Sequence, residues 1–117
     1  MSELTSLQAG LIIQARVKPK HGQEKVRPGL ILTPTEDIQK GEPIVCLAIT
    51  GSPLYPCRPE YVPVPWARNG HVSTGLRKPS FVVCNWSFVI CASQVVSVKG
   101  FLPKKYLTEI YERLNLR

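Results

Sequence analysis

The sequence has 117 residues and a formal net charge of +7 at pH 7, from 15 Lys and Arg against 8 Asp and Glu. This length is that of a single domain, residues 1–117, and leaves no room for a second core. The charge favours a polyanionic partner, either a nucleic acid or an acidic protein segment. No run approaches the ~20 apolar residues that a membrane-spanning helix requires, so no membrane association is expected.

Short apolar runs rich in Val and Ile, separated by turn-forming residues, predict a mainly β protein built as a small antiparallel β-barrel or a strongly curved sheet. The first run alternates apolar and polar residues, which predicts a strand over 11–17 with one face toward the core. Residues 51–60 are too rich in proline for a strand and predict a stiff loop. The other predicted strands are 30–33, 44–49, 61–66, 81–84, 88–92 and 95–98.

Near the end of the chain the period changes from two to that of a helix. Four apolar residues fall at i, i+3, i+4 and i+7, which predicts an amphipathic helix that starts near Pro103 and packs on the sheet. They are Leu107, Ile110, Tyr111 and Leu114.

The four cysteines, Cys46, Cys57, Cys84 and Cys91, include no C-x-x-C pair and no spacing typical of zinc or haem. Three of them lie in apolar runs, where a cysteine behaves as a small buried hydrophobe. Residues 2–6, Ser-Glu-Leu-Thr-Ser, are mostly polar and include no lysine, which argues against a signal peptide. Together these features predict a cytoplasmic protein.

An arginine precedes the second apolar run, in Arg27-Pro28-Gly29-Leu30. Pro28 fixes its own φ and biases Arg27 toward an extended conformation. A guanidinium presents a planar fork of donors that matches phosphate oxygens. The third run ends with the hydroxyls of Thr50 and Ser52. We interpret these residues as a phosphate site; the alternative is a solvated loop end and a strand-end turn.

Several motifs follow one another along the chain. They are His21-Gly22-Gln23-Glu24, Arg27-Pro28-Gly29-Leu30-Ile31-Leu32, Ile49-Thr50-Gly51-Ser52, Gly75-Leu76-Arg77-Lys78-Pro79-Ser80, Cys84-Asn85-Trp86 and Gly100-Phe101-Leu102. In this order, from Gly10 to Leu114, the sequence resembles the PemK/MazF family of type II toxins.

The resemblance implies an SH3-like barrel, a homodimer and an endoribonuclease that cleaves single-stranded RNA without a metal or a cofactor. In that chemistry the ribose 2′-hydroxyl attacks the phosphate, so a base, an acid and donors to the phosphoryl oxygens are needed. The resemblance also implies an acidic antitoxin that covers the basic groove and forms a DNA-binding complex with the toxin.

The resemblance further assigns roles to particular residues. Arg27 is expected to stabilise the phosphoryl oxygens and Thr50 to lie at the family's catalytic threonine position. His21 lies six residues before Arg27, at the same interval as a functional histidine in the PemK branch. Because histidine titrates near neutral pH, His21 is expected to act as the base or the acid. The residues expected to bind RNA are Ser52, Arg77, Lys78, Ser80 and Asn85.

The sequence departs from the PemK branch at Val83-Cys84-Asn85, where that branch has Arg-Cys-Asp. Val83 transfers no proton, and Asn85 keeps the shape of aspartate but is not a base. One alternative is therefore a non-catalytic RNA- or protein-binding module on the same scaffold. A second is a toxin that poisons DNA gyrase, against which the matches at Arg27 and Thr50 argue.

Trp66 and Trp86 are interpreted as core or dimer-interface residues rather than as platforms for RNA bases.

Overall fold

A computed structural model describes residues 7–18, 22–51, 53 and 57–115. The predictions for residues 2–6, His21 and Ser52 fall outside these ranges. Within these ranges the fold consists of six strands and two helices. They are β1 Leu11–Val17, β2 Lys25–Ile31, α1 Thr35–Gln39, β3 Ile44–Thr50, β4 Tyr61–Val64, β5 Ser80–Ile90, β6 Val95–Phe101 and α2 Lys104–Asn115, with a 3₁₀ turn at Ala92–Gln94 between β5 and β6.

The strands form one antiparallel sheet in the order β4-β5-β3-β2-β1-β6. The mainly β architecture with a C-terminal helix is therefore confirmed. Over the described residues β4 and β6 are the two ends of the sheet and do not pair with each other. The sheet is open, and its closure into a barrel stays a prediction. Neither α1 nor α2 is long and apolar enough to cross a membrane, as far as the described ranges go.

The prediction that β1 buries one face is confirmed for the face of Leu11, Ile13, Ala15 and Val17. The other face is also partly buried, which was not predicted, because the sheet has a core on each side. Ile12 is fully buried in a cluster with Leu30 and Ile110. Ile13 and Ala15 are fully buried on the opposite face. Apolar residues beyond the sheet, among them those of α1 and the 3₁₀ turn, cover this second face. A polar surface on one side of β1 is therefore limited to its second half.

The predicted C-terminal helix is confirmed as α2, and it packs on the first of these cores. Ile110 is fully buried, and Leu107 and Leu114 pack beside it. Tyr111 was predicted in the same stripe, but it is 40% exposed, and Tyr106 packs against the core instead. The Arg113 guanidinium donates hydrogen bonds to the carbonyl oxygens of Pro59 and Tyr61, which ties α2 to the start of β4.

Several strand boundaries differ from the sequence-based ones. β2 begins at Lys25 rather than at residue 30, because β1 pairs with it from Ile12↔Leu30 to Val17↔Lys25. Arg27 consequently lies inside a strand and not at its entrance. β4 stops at Val64, before Pro65, which has no N–H to continue the ladder.

The runs predicted as two strands over 81–84 and 88–92 form one strand, β5, with a bulge. Val83 faces Ala48 of β3, but the next residue of β3, Leu47, faces Ser87. Three residues, Cys84–Trp86, are thus inserted on β5 between two consecutive residues of β3. Such a bulge bends the strand and redirects its side chains. The Asn85 and Trp86 side chains are both exposed here.

Cys46 and Cys84 are buried as the apolar runs predicted, whereas Cys91 is exposed because β5 ends at Ile90. Burial raises the pKa of the Cys46 thiol to about 12. The thiolate is the reactive form, so we expect iodoacetamide at pH 8 to leave Cys46 unmodified in the native protein. Cys57 and Cys91 are expected to react, and mass spectrometry of tryptic peptides measures all three. Modification of native Cys46 at the rate seen after unfolding would contradict this burial.

Candidate functional site

Two cavities meet where β2 and β3 separate. The ladder between these strands runs from Ile31↔Cys46 to Gly29↔Ala48, and extending that register by two residues brings Arg27 opposite Thr50. Pro28 has no N–H, which removes one donor at the point where pairing ends. Arg27, Pro28, Ile49 and Thr50 line both cavities. The predicted phosphate site is therefore a wall shared by two chemically different cavities.

The larger cavity, of about 530 Å³, is the cationic one. Besides the shared wall it is lined by Gln14, Arg77, Lys78, Lys99, Gly51, Leu76 and Ser80. No carboxylate of the described chain forms a salt bridge with any of its four cations, since the pairs found are Arg16–Glu24, Arg58–Glu60 and Arg113–Glu109. Unneutralised positive charge with amide and hydroxyl groups is suited to a phosphodiester backbone.

The smaller cavity, of about 240 Å³, is mostly apolar. Besides the shared wall it is lined by Val17, Ala48, Trp86 and Phe88. The Trp86 indole is 48% exposed and that of Trp66 is 44% exposed, so neither lies in the core, and the interpretation of both as dimer-interface residues stays a prediction. The guanidinium carbon of Arg27 lies 6.0 Å from the centroid of the Trp86 ring, within the range of a cation–π contact.

The cations Arg77 and Lys78 are carried by the β4–β5 loop, residues 65–79, which is tightly organised by hydrogen bonds. Thr74 is completely buried, and its hydroxyl donates to the Pro65 carbonyl over 2.8 Å and accepts the Leu76 N–H over 3.1 Å. His71 Nδ1 accepts the N–H groups of Ser73 and Thr74. His71 thus stabilises the turn within this loop.

The same loop packs on β6 through two glycines. A Cβ at Gly75 would overlap the Lys99 carbonyl oxygen, and Gly75 has a φ of +73°. A Cβ at Gly100 would overlap the Ser73 carbonyl oxygen. Lys99 is the extra residue of a bulge in β6, because Ile12 faces Gly100 while Ile13 faces Val98. Contact between the loop and this bulge places Lys99 in the same cavity as Arg77 and Lys78.

Removing the Thr74 hydroxyl tests the loop. In Thr74→Val, which keeps the size of the side chain, the buried Leu76 N–H loses its acceptor and the Pro65 carbonyl loses its donor. We expect a loss of about 2 kcal/mol in the free energy of unfolding. Urea denaturation followed by circular dichroism measures this loss. Thr74→Ser is the matched control, because it retains the hydroxyl, and equal losses in the two variants would contradict a role for the hydrogen bonds.

The structure thus brings together most of the residues predicted from the sequence. Arg27, Thr50, Arg77, Lys78 and Ser80 all line the cationic cavity. The Ser80 hydroxyl is buried and donates to the Lys78 carbonyl over 2.9 Å, so it also supports the backbone of the loop. Asn85 lies in the β5 bulge and is not among the residues that line the two cavities.

Two lining residues, Gln14 and Lys99, were missed by sequence reasoning. Gln14 is the polar residue that follows the three apolar residues Leu11, Ile12 and Ile13 of β1, and this change in pattern was a usable signal. Lys99 enters the cavity because of the bulge in β6, which no pattern in the sequence indicates.

The fold is similar to those of solved bacterial toxins. A MazF structure from Deinococcus radiodurans has a TM-score of 0.71 at 20% identity, over 94% of each chain. The Mycobacterium tuberculosis toxin MazF-mt6 has a TM-score of 0.70 at 24% identity, over 91% of this chain and 93% of that one. A MazE–MazF structure from D. radiodurans has a TM-score of 0.73 at 20% identity, over 94% and 93% of the two chains. No curated protein matches the sequence.

The sequence as a whole decides the family. The model of the PemK-like, MazF-like toxins of type II toxin–antitoxin systems matches residues 8–116. Toxins of this family are endoribonucleases. The resemblance inferred from the ordered motifs is thereby confirmed, and the chain belongs to the PemK-like, MazF-like family of type II toxins.

Proposed function

We propose that this chain is the toxin of a type II toxin–antitoxin pair and that it cleaves single-stranded RNA at the wall between the two cavities. The observation that supports this most is the arrangement of Arg27 and Thr50 beside Arg77, Lys78 and Lys99, with no described salt bridge to neutralise them. A phosphodiester is the ligand whose charge and geometry suit such a set of donors.

In the proposed reaction the ribose 2′-oxygen attacks the adjacent phosphorus while the bond from phosphorus to the 5′-oxygen breaks. The Arg27 guanidinium and the Thr50 hydroxyl donate to the non-bridging oxygens, where negative charge builds up. A general base takes the 2′-hydroxyl proton, and a general acid protonates the departing 5′-oxygen. The products are a 2′,3′-cyclic phosphate and a 5′-hydroxyl, so no water is consumed and the proton count balances.

We assign one of the two proton transfers to His21. His21 lies in the sequence between β1, whose last residue Val17 lines the apolar cavity, and β2, which begins two residues before Arg27. The described lining of the two cavities includes no histidine and no carboxylate. Val83, at a position where the PemK branch has arginine, is buried and contributes no proton carrier. The non-catalytic binding module is therefore the second candidate.

The remaining parts of the proposal concern assembly. A MazE–MazF structure is among the similar folds, which supports an antitoxin as the protein partner of this chain. We propose an acidic segment for that partner, since a net charge of +7 favours an anionic ligand. A homodimer with closed SH3-like barrels and a cytoplasmic location complete the proposed assignment.

The experiment is incubation of the purified protein with a long, weakly structured RNA in EDTA, followed by analysis of the fragment ends. We expect discrete fragments that end in a 2′,3′-cyclic phosphate and begin with a 5′-hydroxyl. The matched substrate is the same sequence with 2′-fluoro ribose, which has no attacking hydroxyl and should stay intact. Intact RNA bound in a salt-dependent way would instead support the binding module and overturn the ribonuclease.

A further inference from the structure

The apolar cavity beside Arg27 has no role in the reaction described above, although it shares a wall with the phosphate site. We propose that it is a subsite for one unpaired nucleobase, which stacks on the Trp86 indole next to the phosphate held by Arg27. This inference rests on the proposed function, because it names where a base of the RNA substrate binds.

The first argument is the chemistry of the two cavities. One side of the shared wall has Arg77, Lys78 and Lys99, and the other has Trp86 and Phe88. Single-stranded nucleic acids combine a charged backbone with planar apolar bases, and proteins bind them with cations along the backbone and aromatic rings against the bases. The two surfaces meet at Arg27 and Thr50, as a phosphate and its neighbouring base meet in one nucleotide.

The second argument is size and position. At about 240 Å³ the cavity is smaller than the range of about 300–1,000 Å³ for drug-sized ligands, so it suits a single ring system. Trp86 is displayed by the β5 bulge rather than packed into a core, and nearly half of its surface is exposed. The guanidinium carbon of Arg27 lies 6.0 Å from the centroid of the Trp86 ring. A base that stacks on the indole therefore lies beside the cation that holds its phosphate.

The test separates stacking from cleavage by using short 2′-fluoro oligonucleotides of A or of U, which cannot be cleaved by a 2′-hydroxyl. In a Trp66→Phe background Trp86 is the sole tryptophan, and we expect these oligonucleotides to quench its fluorescence. Trp86→Ala should weaken binding about tenfold, and Trp86→Phe should restore most of the affinity. Trp66→Ala removes an equally exposed indole that lines neither cavity and should leave affinity unchanged.

An oligomer of abasic phosphodiester units allows a double-mutant cycle between the RNA bases and the Trp86 indole. Removal of the bases should weaken binding to the wild-type protein about tenfold but have little further effect on Trp86→Ala. Trp86→Ala should keep the salt dependence of binding, whereas Lys78→Ala should reduce its slope. Additive losses from removing the bases and the indole would overturn the base subsite. Quenching of Trp86 by polyglutamate but not by the oligonucleotides would also overturn it and assign the cavity to an acidic protein segment.

The outcome is independent of catalysis. If the oligonucleotides quench Trp86 and the abasic oligomer behaves as expected, but natural RNA is not cleaved, the ribonuclease proposal is overturned. The base subsite would then still stand. Cleavage with unchanged kcat and KM in Trp86→Ala, and no quenching, would overturn the subsite and leave the ribonuclease standing.

Discussion

Arg27→Ala is expected to lower the rate of RNA cleavage about 100-fold or more, because one oriented donor to a developing oxyanion has typically this effect. Arg27 lines both cavities, has an exposed side chain and forms no described salt bridge, so we expect its removal not to destabilise the fold. Arg27→Lys keeps the charge but replaces the planar fork by a point charge, and we expect it to recover binding more than rate. Single-turnover cleavage of a labelled RNA measures both effects.

The matched control is Lys40→Ala, which removes one positive charge from an exposed position after α1, outside both cavities. It should reduce the rate little, since a distant exposed charge acts only through screened electrostatics. If Arg27→Ala cleaved RNA as fast as Lys40→Ala does, the catalytic role of Arg27 would be wrong.

Gly75→Ala is expected to produce a large loss of stability. Its φ of +73° costs an L-residue about 1–2 kcal/mol, and its Cβ would overlap the Lys99 backbone carbonyl, which adds about 1–3 kcal/mol of overpacking. The sum corresponds to a fall in Tm of roughly 10 °C or more for a domain of this size. Because the loop also holds Arg77 and Lys78, RNA affinity should fall together with stability. Differential scanning calorimetry measures the first and fluorescence anisotropy the second.

Two other glycines separate these causes. Gly41 has a φ of +85° with open space around it, so Gly41→Ala isolates the backbone penalty of about 1–2 kcal/mol. A Cβ at Gly100 would overlap the Ser73 carbonyl oxygen and lie 2.7 Å from the Thr74 carbonyl carbon, so Gly100→Ala isolates the close approach. Equal Tm values for Gly75→Ala and Gly41→Ala would mean that the contact between the loop and β6 contributes nothing.

Local pattern was sufficient to predict where most strands lie but not how they are covered. Alternation in β1 predicted one buried face, yet Ile12 and Ile13 are both fully buried because the sheet has a core on each side. The helix period was right for α2, but Tyr106 rather than Tyr111 completes the buried stripe. Burial depends on the neighbours that tertiary structure supplies, and a single-chain pattern contains no such information.

The candidate site, like the fold, was predicted only in part. The residue types of Arg27 and its neighbouring proline predicted a phosphate site, and the structure places Arg27 in the lining of both cavities. The order of motifs along the chain identified the family. Lys99 and Trp86 could not be placed, because a bulge positions each of them: one extra residue in β6 and three in β5. A bulge changes the register of pairing without a distinct sequence signal, so its effect on side-chain direction appears only in three dimensions.

The β5 bulge has a consequence for how this toxin can change. Pairing with β3 is regular on both sides of Cys84–Trp86, so the ladder does not depend on the side chains at positions 85 and 86. Both side chains are exposed, and exposed positions away from caps and cores usually alter stability by less than ~0.5 kcal/mol. If Trp86 stacks on a base as proposed, substitution at position 86 would change how the base is held, while most such variants would still fold. The bulge therefore separates the proposed base subsite from the strand pairing that maintains the scaffold.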